Sequence, residues 1–339
     1  MATIEPNQTG VREDLSDYIS AAEMKDTPVT SMIPKGKKPG NMRLDWQMDA
    51  DLDNSTGGVL DGTDVTSYQD AAENRELGSV YCQWFRQSAK VGTLAQDVSN
   101  VAGVSEKEKA RAVMKVLTQV KQNIEARLSG DDDTTAQSGA TAYTTRGLGS
   151  WINNTAQATL PVPSAYRTPT TSIDSTASTA AATEASINDV VKSIYNETGK
   201  VKDFEGIVGS NMKSRISDLQ LYDANSSAGT AYIAARHINK DQMSNTIAKK
   251  IDIMVGDFGT IKIHVSNFLG WSGGSLTTAV GRGRFYILDM KDLELCFSKT
   301  PGVEDFPDLG GGPRFAVDGI CGLKVGNCLR HGALKPTAV

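Results

Sequence analysis

The stretch SEKEKARAVMKVLTQVKQNIEARLSG, residues 105–130, decides the fold that we expect. Ser105 and Glu108 form a capping box, in which each side chain satisfies a backbone N–H at the start of a helix. Apolar residues then recur every three or four positions, as on one face of a helix: Val113, Leu117, Val120, Ile124 and Leu128. Gly130 stands where a left-handed residue commonly ends a helix. We therefore predict a spine helix over residues 105–129, roughly 36 Å long.

Composition and targeting signals narrow the class of protein. The chain has 339 residues and a formal net charge of −5, which argues against a protein whose main task is to grip nucleic acid. We find no signal peptide and no apolar run long enough to span a membrane, so we expect no membrane partner. The spacing of the four cysteines fits no zinc motif, and we expect buried, reduced thiols at Cys82, Cys296, Cys321 and Cys328.

Residues 1–40 have the composition of an arm. They are polar, with a short helical segment at residues 14–24 and a small cluster of lysines after residue 34. Pro28 and Pro34 each favour an extended conformation in the preceding residue. Because such a segment buries little of itself, we expect it to lie on another surface.

Residues 41–90 are predicted to form an extended hairpin. Apolar and polar residues alternate in two stretches, as in half-buried strands: Met42, Leu44, Trp46 and Met48, and then Val80, Cys82 and Trp84. The segment between them is polar and rich in turn residues. Residues 41–80 contain nine acids and only two bases, so the hairpin is strongly acidic.

The predicted spine helix carries the opposite charge, with six bases against three acids over residues 105–129. Either the acidic hairpin meets the basic helix, within a subunit or between neighbours, or each is an independent solvated face. The first alternative gives the candidate contact residues Arg43, Trp46, Asp49, Asp51, Asp53, Arg75, Glu76, Lys107, Arg111 and Lys115.

The acidic triplet Asp131, Asp132 and Asp133 follows the helix. An EF-hand places its ligands at alternate positions and closes with a glutamate twelve residues along, which is missing here. We expect a solvated turn, with a bound cation as the alternative.

The rest of the chain is predicted to contain helices and strands in its middle part and mainly strands towards its end. Residues 155–183 are dominated by Ser, Thr and Ala, and we expect a surface loop. An amphipathic helix ending at Gly199, a strand and a second helix follow. We then expect a hairpin around residues 256–259, a strand pair formed by residues 285–290 and 293–297, and closing strands at residues 315–317 and 320–325. This order indicates an α+β fold.

The sequence contains no recognisable catalytic or cofactor motif. Its glycine-rich stretches lack the lysine of a phosphate loop and the third glycine of a dinucleotide fingerprint. His264 lies between two apolar strand residues, and we expect a structural or surface role for it. We therefore expect no catalytic residue, no cofactor, no metal and no enzymatic activity. An arm, a long hairpin and a loop are instead devices for contacting neighbours.

In the order of these elements, the sequence resembles the tailed-phage (Caudoviricetes) major capsid proteins with the Hong Kong 97-type fold. The order of arm, hairpin, long helix, mixed middle and returning strands matches over nearly the whole chain. Four stretches resemble a podovirus- and siphovirus-type branch of that group: residues 27–35 (TPVTSMIPK), 124–128 (IEARL), 146–152 (RGLGSWI) and 256–263 (GDFGTIKI).

The resemblance implies a division of the chain into five parts. These are an N-terminal arm (1–40), an extended loop (41–90), a peripheral domain with the spine helix (91–150), an axial domain (151–250) and strands shared by both domains (251–339). It implies a non-catalytic subunit that self-assembles, as hexamers and pentamers, into an icosahedral shell around phage double-stranded DNA contacted non-specifically. It also implies a portal, sometimes a cement protein, a place in the virion capsid, and assembly in the cytoplasm of a host bacterium.

Two known features of such proteins can be compared with this sequence. Some members crosslink through a lysine of the extended loop, but no lysine lies between Lys38 and Lys90, so we expect no crosslink. Some carry an N-terminal scaffolding segment, and the short polar segment here leads us to expect a separate scaffolding protein.

Three other classes remain as alternatives. A bacterial nanocompartment (encapsulin-like) shell protein shares the fold and would package enzyme cargo. A soluble enzyme of unrecognised class would show a pocket with titrating groups. A receptor-binding or tail protein would be expected to form trimers.

Overall fold

The computed structural model describes residues 26–50, 52, 56–68, 70, 74–97, 108–175, 178–219, 251–269, 271–272, 275–276 and 281–338. Within this part the α-helices are α1 (Pro28–Met32), α2 (Thr93–Asp97), α3 (Glu108–Leu128), α4 (Leu148–Trp151), α5 (Glu184–Thr198) and α6 (Ser210–Leu219). None of these helices is long and apolar enough to cross a membrane.

The spine helix is confirmed as α3, which has 21 described residues. Val120, Ile124 and Leu128 are buried, and Leu117 packs at the edge of the same core, so the predicted apolar face is correct. Ser105 of the predicted capping box lies outside the described residues. Gly130 does not have a positive φ, so the prediction of a left-handed glycine at the end of this helix was wrong.

The strands of the described residues form two larger sheets and two small ribbons. The strands are β1 (Arg43–Met48), β2 (Glu76–Tyr81), β3 (Gln83–Lys90), β4 (Ile173–Asp174), β5 (Lys202–Val208), β6 (Ile253–Gly256), β7 (Gly259–Val265), β8 (Trp271–Ser272), β9 (Ser275–Leu276), β10 (Phe285–Leu288), β11 (Leu293–Phe306), β12 (Arg314–Val325) and β13 (Gly332–Leu334). The six-stranded sheet has the order β4-β13-β10-β5-β7-β6, and the three-stranded sheet has the order β11-β12-β3. The pairs β1-β2 and β8-β9 form the ribbons.

Two hydrophobic cores follow from this arrangement. The first lies between α3 and the three-stranded sheet and continues under the hairpin and α4. The second lies between the six-stranded sheet and helices α5 and α6. Strand β10 supplies both cores, because Tyr286 and Leu288 face the first, whereas Phe285 and Ile287 face the second. The expected α+β class is therefore confirmed.

The pairing of the last strands was predicted only in part. The hairpin of β6 and β7 is confirmed. Residues 285–290 and 293–297 do not pair with each other, because β10 belongs to the six-stranded sheet and β11 to the three-stranded one. The two closing strands are one continuous strand, β12, which pairs with β11 and β3.

The extended hairpin is confirmed, with Arg43 opposite Tyr81 and Met48 opposite Glu76. Val80 and Cys82 point inward as predicted, but Trp84 is exposed and Phe85 is buried instead. The reason is that the chain changes sheet at Cys82, between β2 and β3, and a shift of one residue reverses the face of every later side chain.

Two stretches that we expected to be superficial are packed into the subunit. In the arm, Val29 and Ile33 are buried in the first core, and the backbone of residues 34–36 bonds to Leu295 of β11. Residues 28–36 thus lie on their own subunit, while the predicted helix at 14–24 lies outside the described residues. In the stretch 155–183, many residues are exposed as predicted, but Val162 and Tyr166 are buried, so the surface loop was predicted correctly only in part.

Candidate assembly surfaces

The polar side chains at the base of the hairpin are paired with one another. Arg43 Nε lies 2.7 Å from Asp45 Oδ1. Arg75 Nη2 lies 3.1 Å from Asp49 Oδ2 across the ribbon. Three of the candidate contact residues, Arg43, Asp49 and Arg75, are therefore already engaged within their own hairpin.

Trp46, another candidate contact residue, anchors the hairpin to its own subunit. Its ring lies 5.7 Å from the ring of Trp151, centroid to centroid. Its indole Nε1–H donates to the carbonyl of Gly326 at 3.3 Å. Tyr166 adds a second anchor, because its hydroxyl donates to the carbonyl of Asn74. These contacts fix the direction in which the hairpin leaves the subunit.

The tip of the hairpin, residues 56–68, is exposed along its whole length. Four of its apolar side chains are open to solvent: Val59 (86%), Leu60 (80%), Val65 (68%) and Tyr68 (86%). Asp61 and Asp64 lie between them and form no ion pair with any described residue. The tip thus combines apolar surface, which was not predicted, with negative charge that no described residue compensates.

The basic side of α3 is the second exposed charged surface. Lys109 pairs with Asp305 of β11 at 3.0 Å. Arg111, Lys115 and Lys121 form no ion pair with any described residue. Met114, which is exposed, lies among them.

The structure does not join these two surfaces within one subunit. Among the described residues no ion pair connects the acids of the hairpin, Glu76 included, with the bases of α3. The candidates Asp51, Asp53 and Lys107 lie outside the described residues.

The acidic triplet is neither a solvated turn nor an isolated group of carboxylates. Each aspartate pairs with a different arginine: Asp132 with Arg127 and Asp133 with Arg146, which are near in sequence, and Asp131 with the distant Arg284. The solvated turn was therefore wrongly predicted. No group of His, Cys, Asp or Glu that could hold a metal ion occurs among the described residues.

Arg146 is the most deeply buried member of this network. Its Nε donates to Asp133 Oδ1 at 2.7 Å, and its Nη2 donates to the carbonyls of Thr159 and Leu160. Its guanidinium carbon lies 4.5 Å from the centroid of the Trp151 ring. Burial lowers the pKa of Arg146, and Asp133 offsets part of that effect.

Two glycines in the stretch 146–152 allow the backbone to come close to the triplet. A Cβ on Gly147 would lie 2.3 Å from the carbonyl oxygen of Gly130. A Cβ on Gly149 would lie 1.7 Å from Asp131 Oδ1. The pattern RGLGSWI is therefore explained by packing against the end of α3, and we call residues 130–152 the junction.

Among the described residues, the other titratable groups show no arrangement that indicates catalysis. His264 Nε2 lies 2.8 Å from Glu205 on the partly exposed face of the six-stranded sheet. All four cysteines are free and buried, as predicted. Burial raises the pKa of Cys82 to about 11 and of Cys328 to about 12, so both thiols remain protonated at neutral pH.

The comparison with protein families decides what this architecture is. A sequence model described as "SU10 major capsid protein" matches residues 3–338. The chain belongs to the SU10 major capsid protein family. It is therefore a structural protein that forms the shell of a virion capsid. No match is found among curated protein sequences.

Solved capsid structures share the fold of this SU10-family capsid protein over almost its whole length. The capsid of a native GTA particle matches with a TM-score of 0.64 at 12% identity and covers 99% of both chains. The capsid of cyanophage P-SCSP1u matches with a TM-score of 0.60 at 10% identity, covering 99% of this chain and 97% of that one. The capsid of Myoviridae phage XM1 gives 0.55 at 10% identity, with 99% of each chain covered. The expected Hong Kong 97-type fold is in agreement with these matches.

Proposed function

We propose that this capsid protein assembles into hexamers and pentamers in which the hairpin tip of one subunit lies on α3 of the next. The apolar tip is the observation that supports this arrangement. Burying one side chain of the size of Leu60 or Tyr68 contributes about 1.5–3 kcal/mol, and no described part of the same subunit covers either residue. A second copy that covers the tip would therefore bury several such side chains, and the burial of each would stabilise the complex.

Charge complementarity favours α3 as the partner surface. The tip offers Asp61 and Asp64, and the helix offers Arg111, Lys115 and Lys121 without ion-pair partners among the described residues. An exposed ion pair contributes only ~0–1 kcal/mol. Repetition of the contact around a closed shell makes the sum large, because each further contact is formed between surfaces already held together.

The two sheets suggest how the subunit is oriented in the shell. We assign the three-stranded sheet with α3 to the peripheral domain and the six-stranded sheet with α5 and α6 to the axial domain at the centre of each capsomer. The paired hairpin is the extended loop, and residues 1–40 are the arm. Trp46 is then an internal anchor of the loop, whereas Asp61, Asp64, Arg111 and Lys115 are contact residues.

The partners of the assembled shell follow from this role. We propose that the shell encloses double-stranded DNA, which it contacts weakly because the net charge of the subunit is −5. A portal and a separate scaffolding protein complete the particle, as does a cement protein in some capsids of this kind, and assembly takes place in the cytoplasm of the host bacterium. The subunit itself has no catalytic task.

A charge exchange tests the proposed contact. Reversing Asp61 and Asp64 to Lys should lower the yield of shells seen by electron microscopy while the subunit stays folded, since both side chains are exposed. Reversing Arg111 and Lys115 to Glu in the same chain should restore the yield, because the pairing is then re-formed with exchanged signs. Asp257→Lys, at the exposed turn between β6 and β7, is the matched control. A normal yield with the tip reversed, or no rescue by the helix reversal, would contradict the contact.

A further inference from the structure

Lys335 follows β13 immediately and lies at the boundary between the two cores. Its backbone N–H donates to the carbonyl of Asp174 in β4 at 2.7 Å and so continues the pairing of the six-stranded sheet. Its side chain turns to the junction instead, where Nζ donates to the carbonyl of Gly149 at 2.7 Å and to that of Ile152. One residue thus connects the C-terminal strand of one sheet to α4 under the hairpin.

The charged groups around Nζ do not compensate a positive charge. Arg284, immediately before β10, carries a charge of the same sign. The carboxylate of Asp131, which lies next to Gly149, already pairs with Arg284. It also accepts a hydrogen bond from the hydroxyl of Tyr286, with 3.1 Å between that oxygen and Asp131 Oδ1. The Tyr286 ring centroid lies 5.9 Å from Nζ. The carboxylate of Asp174 forms no ion pair with Nζ in the described structure.

The number of acids and bases at the junction also indicates that a charge on Lys335 has no carboxylate partner. Three aspartates are matched by Arg127, Arg146 and Arg284. Lys335 is the fourth base, and among the described residues its Nζ donates to two backbone carbonyls and pairs with no carboxylate. We propose that Lys335 is a pH-sensitive latch that fastens β13 to α4, and that it holds more tightly when its side chain is neutral.

The direction of the pH dependence follows from proton linkage. Burial, reinforced by Arg284, lowers the pKa of Lys335 from 10.5 to about 7. Between pH 7 and 10.5 a released Lys335 carries a proton that the docked one lacks, so docking strengthens as the pH rises through that window. The gain is up to about tenfold in the docking equilibrium per pH unit. Below pH 7 both forms carry the proton, and the dependence disappears.

The latch also lies close to the contacts that anchor the hairpin. Trp151 of α4 packs on Trp46, which directs the hairpin. Lys335 therefore adds a polar contact between the six-stranded sheet and the helix on which the base of the hairpin packs.

Amide hydrogen exchange of free, full-length subunits tests the latch. After correction for the intrinsic exchange rate, the opening constant of the β13 amides should fall by up to about tenfold per pH unit from pH 7 to 9. Lys335→Met should show no such fall and less opening than the native chain at pH 6. Lys291→Met, which removes an exposed lysine, should behave as the native chain does. The range ends at pH 9 because the buried thiols, Cys328 above all, add an opposite dependence at higher pH.

If the opening constant of the β13 amides depends on pH in Lys335→Met as it does in the native chain, the proposed latch is wrong. If that variant does not fold, NMR titration of the Lys335 side chain in the native protein decides the matter. A midpoint near pH 7 supports the latch, and a midpoint near the ordinary value of 10.5 refutes it. Neither measurement requires shell assembly, so failure of the latch and failure of the proposed function are distinguishable.

Discussion

The hairpin tip and the junction are both acidic, yet their charges have opposite surroundings. At the tip, Asp61 and Asp64 are exposed and form no ion pair with a described residue. At the junction, each aspartate of the triplet is held by an arginine, and these arginines come from positions up to 153 residues away in the chain. The junction is thus complete within one subunit, whereas the tip needs a second molecule. A run of acids in a sequence does not by itself distinguish the two cases.

The largest expected effect is the loss of Arg146 from the junction. Arg146→Met leaves Asp133 without its arginine and removes the donors to two backbone carbonyls. We expect the free energy of unfolding of the subunit to fall by about 3–5 kcal/mol, as when one partner of a buried ion pair is deleted. Urea denaturation of the free subunit measures this change.

The matched change at the tip is Asp61→Asn. It should alter the free energy of unfolding by no more than about 0.5 kcal/mol, because the side chain is exposed and forms no described ion pair. Equal losses of stability in both variants would remove the distinction between tip and junction.

A smaller loss of stability is expected from Gly149→Ala. The new methyl group would overlap Asp131 Oδ1 and approach the hydroxyl of Tyr286. Moving those groups apart should cost about 1–3 kcal/mol, the usual range for overpacking. Gly40→Ala is the control, because its Cβ would meet no atom within 4 Å and should leave the stability nearly unchanged. If thermal unfolding showed the two variants to be equally stable, the close approach at the junction would be unimportant.

Local patterns predicted most of the fold. The apolar spacing of α3 and the alternation in β1 reflect a single face packed on a core, so each is visible in a short window of sequence. The same holds for α5, which ends at Gly199 in the left-handed conformation. The sheet change at Cys82 and the separation of β10 from β11 depend on distant pairing partners, which no short window contains.

The candidate site was predicted less well, for the same reason. The acidic triplet was predicted to be solvated because a charge run shows no partner in a short window: Arg284 is 153 residues from Asp131, and nothing in the local pattern turns Arg127 and Arg146 toward Asp132 and Asp133. Residues 155–183 were predicted to be superficial because their composition does not show that a few of them, such as Val162 and Tyr166, are buried. Trp46 was predicted as a residue of the contact between hairpin and helix, whereas in the structure it packs on Trp151 of its own subunit. The sequence does carry one signal for the tip: the adjacent Val59 and Leu60 stand in a stretch otherwise rich in Gly, Asp and Thr.

Cryo-electron microscopy of assembled shells tests most directly whether the tip is completed by a neighbour. In the free subunit Leu60 is 80% exposed and Tyr68 is 86% exposed. In the shell both side chains should be buried, with Asp61 and Asp64 within ion-pair distance, about 4 Å, of Arg111, Lys115 or Lys121 of an adjacent copy. A shell in which the tip still points into solvent, or folds back onto its own α3, would contradict the account.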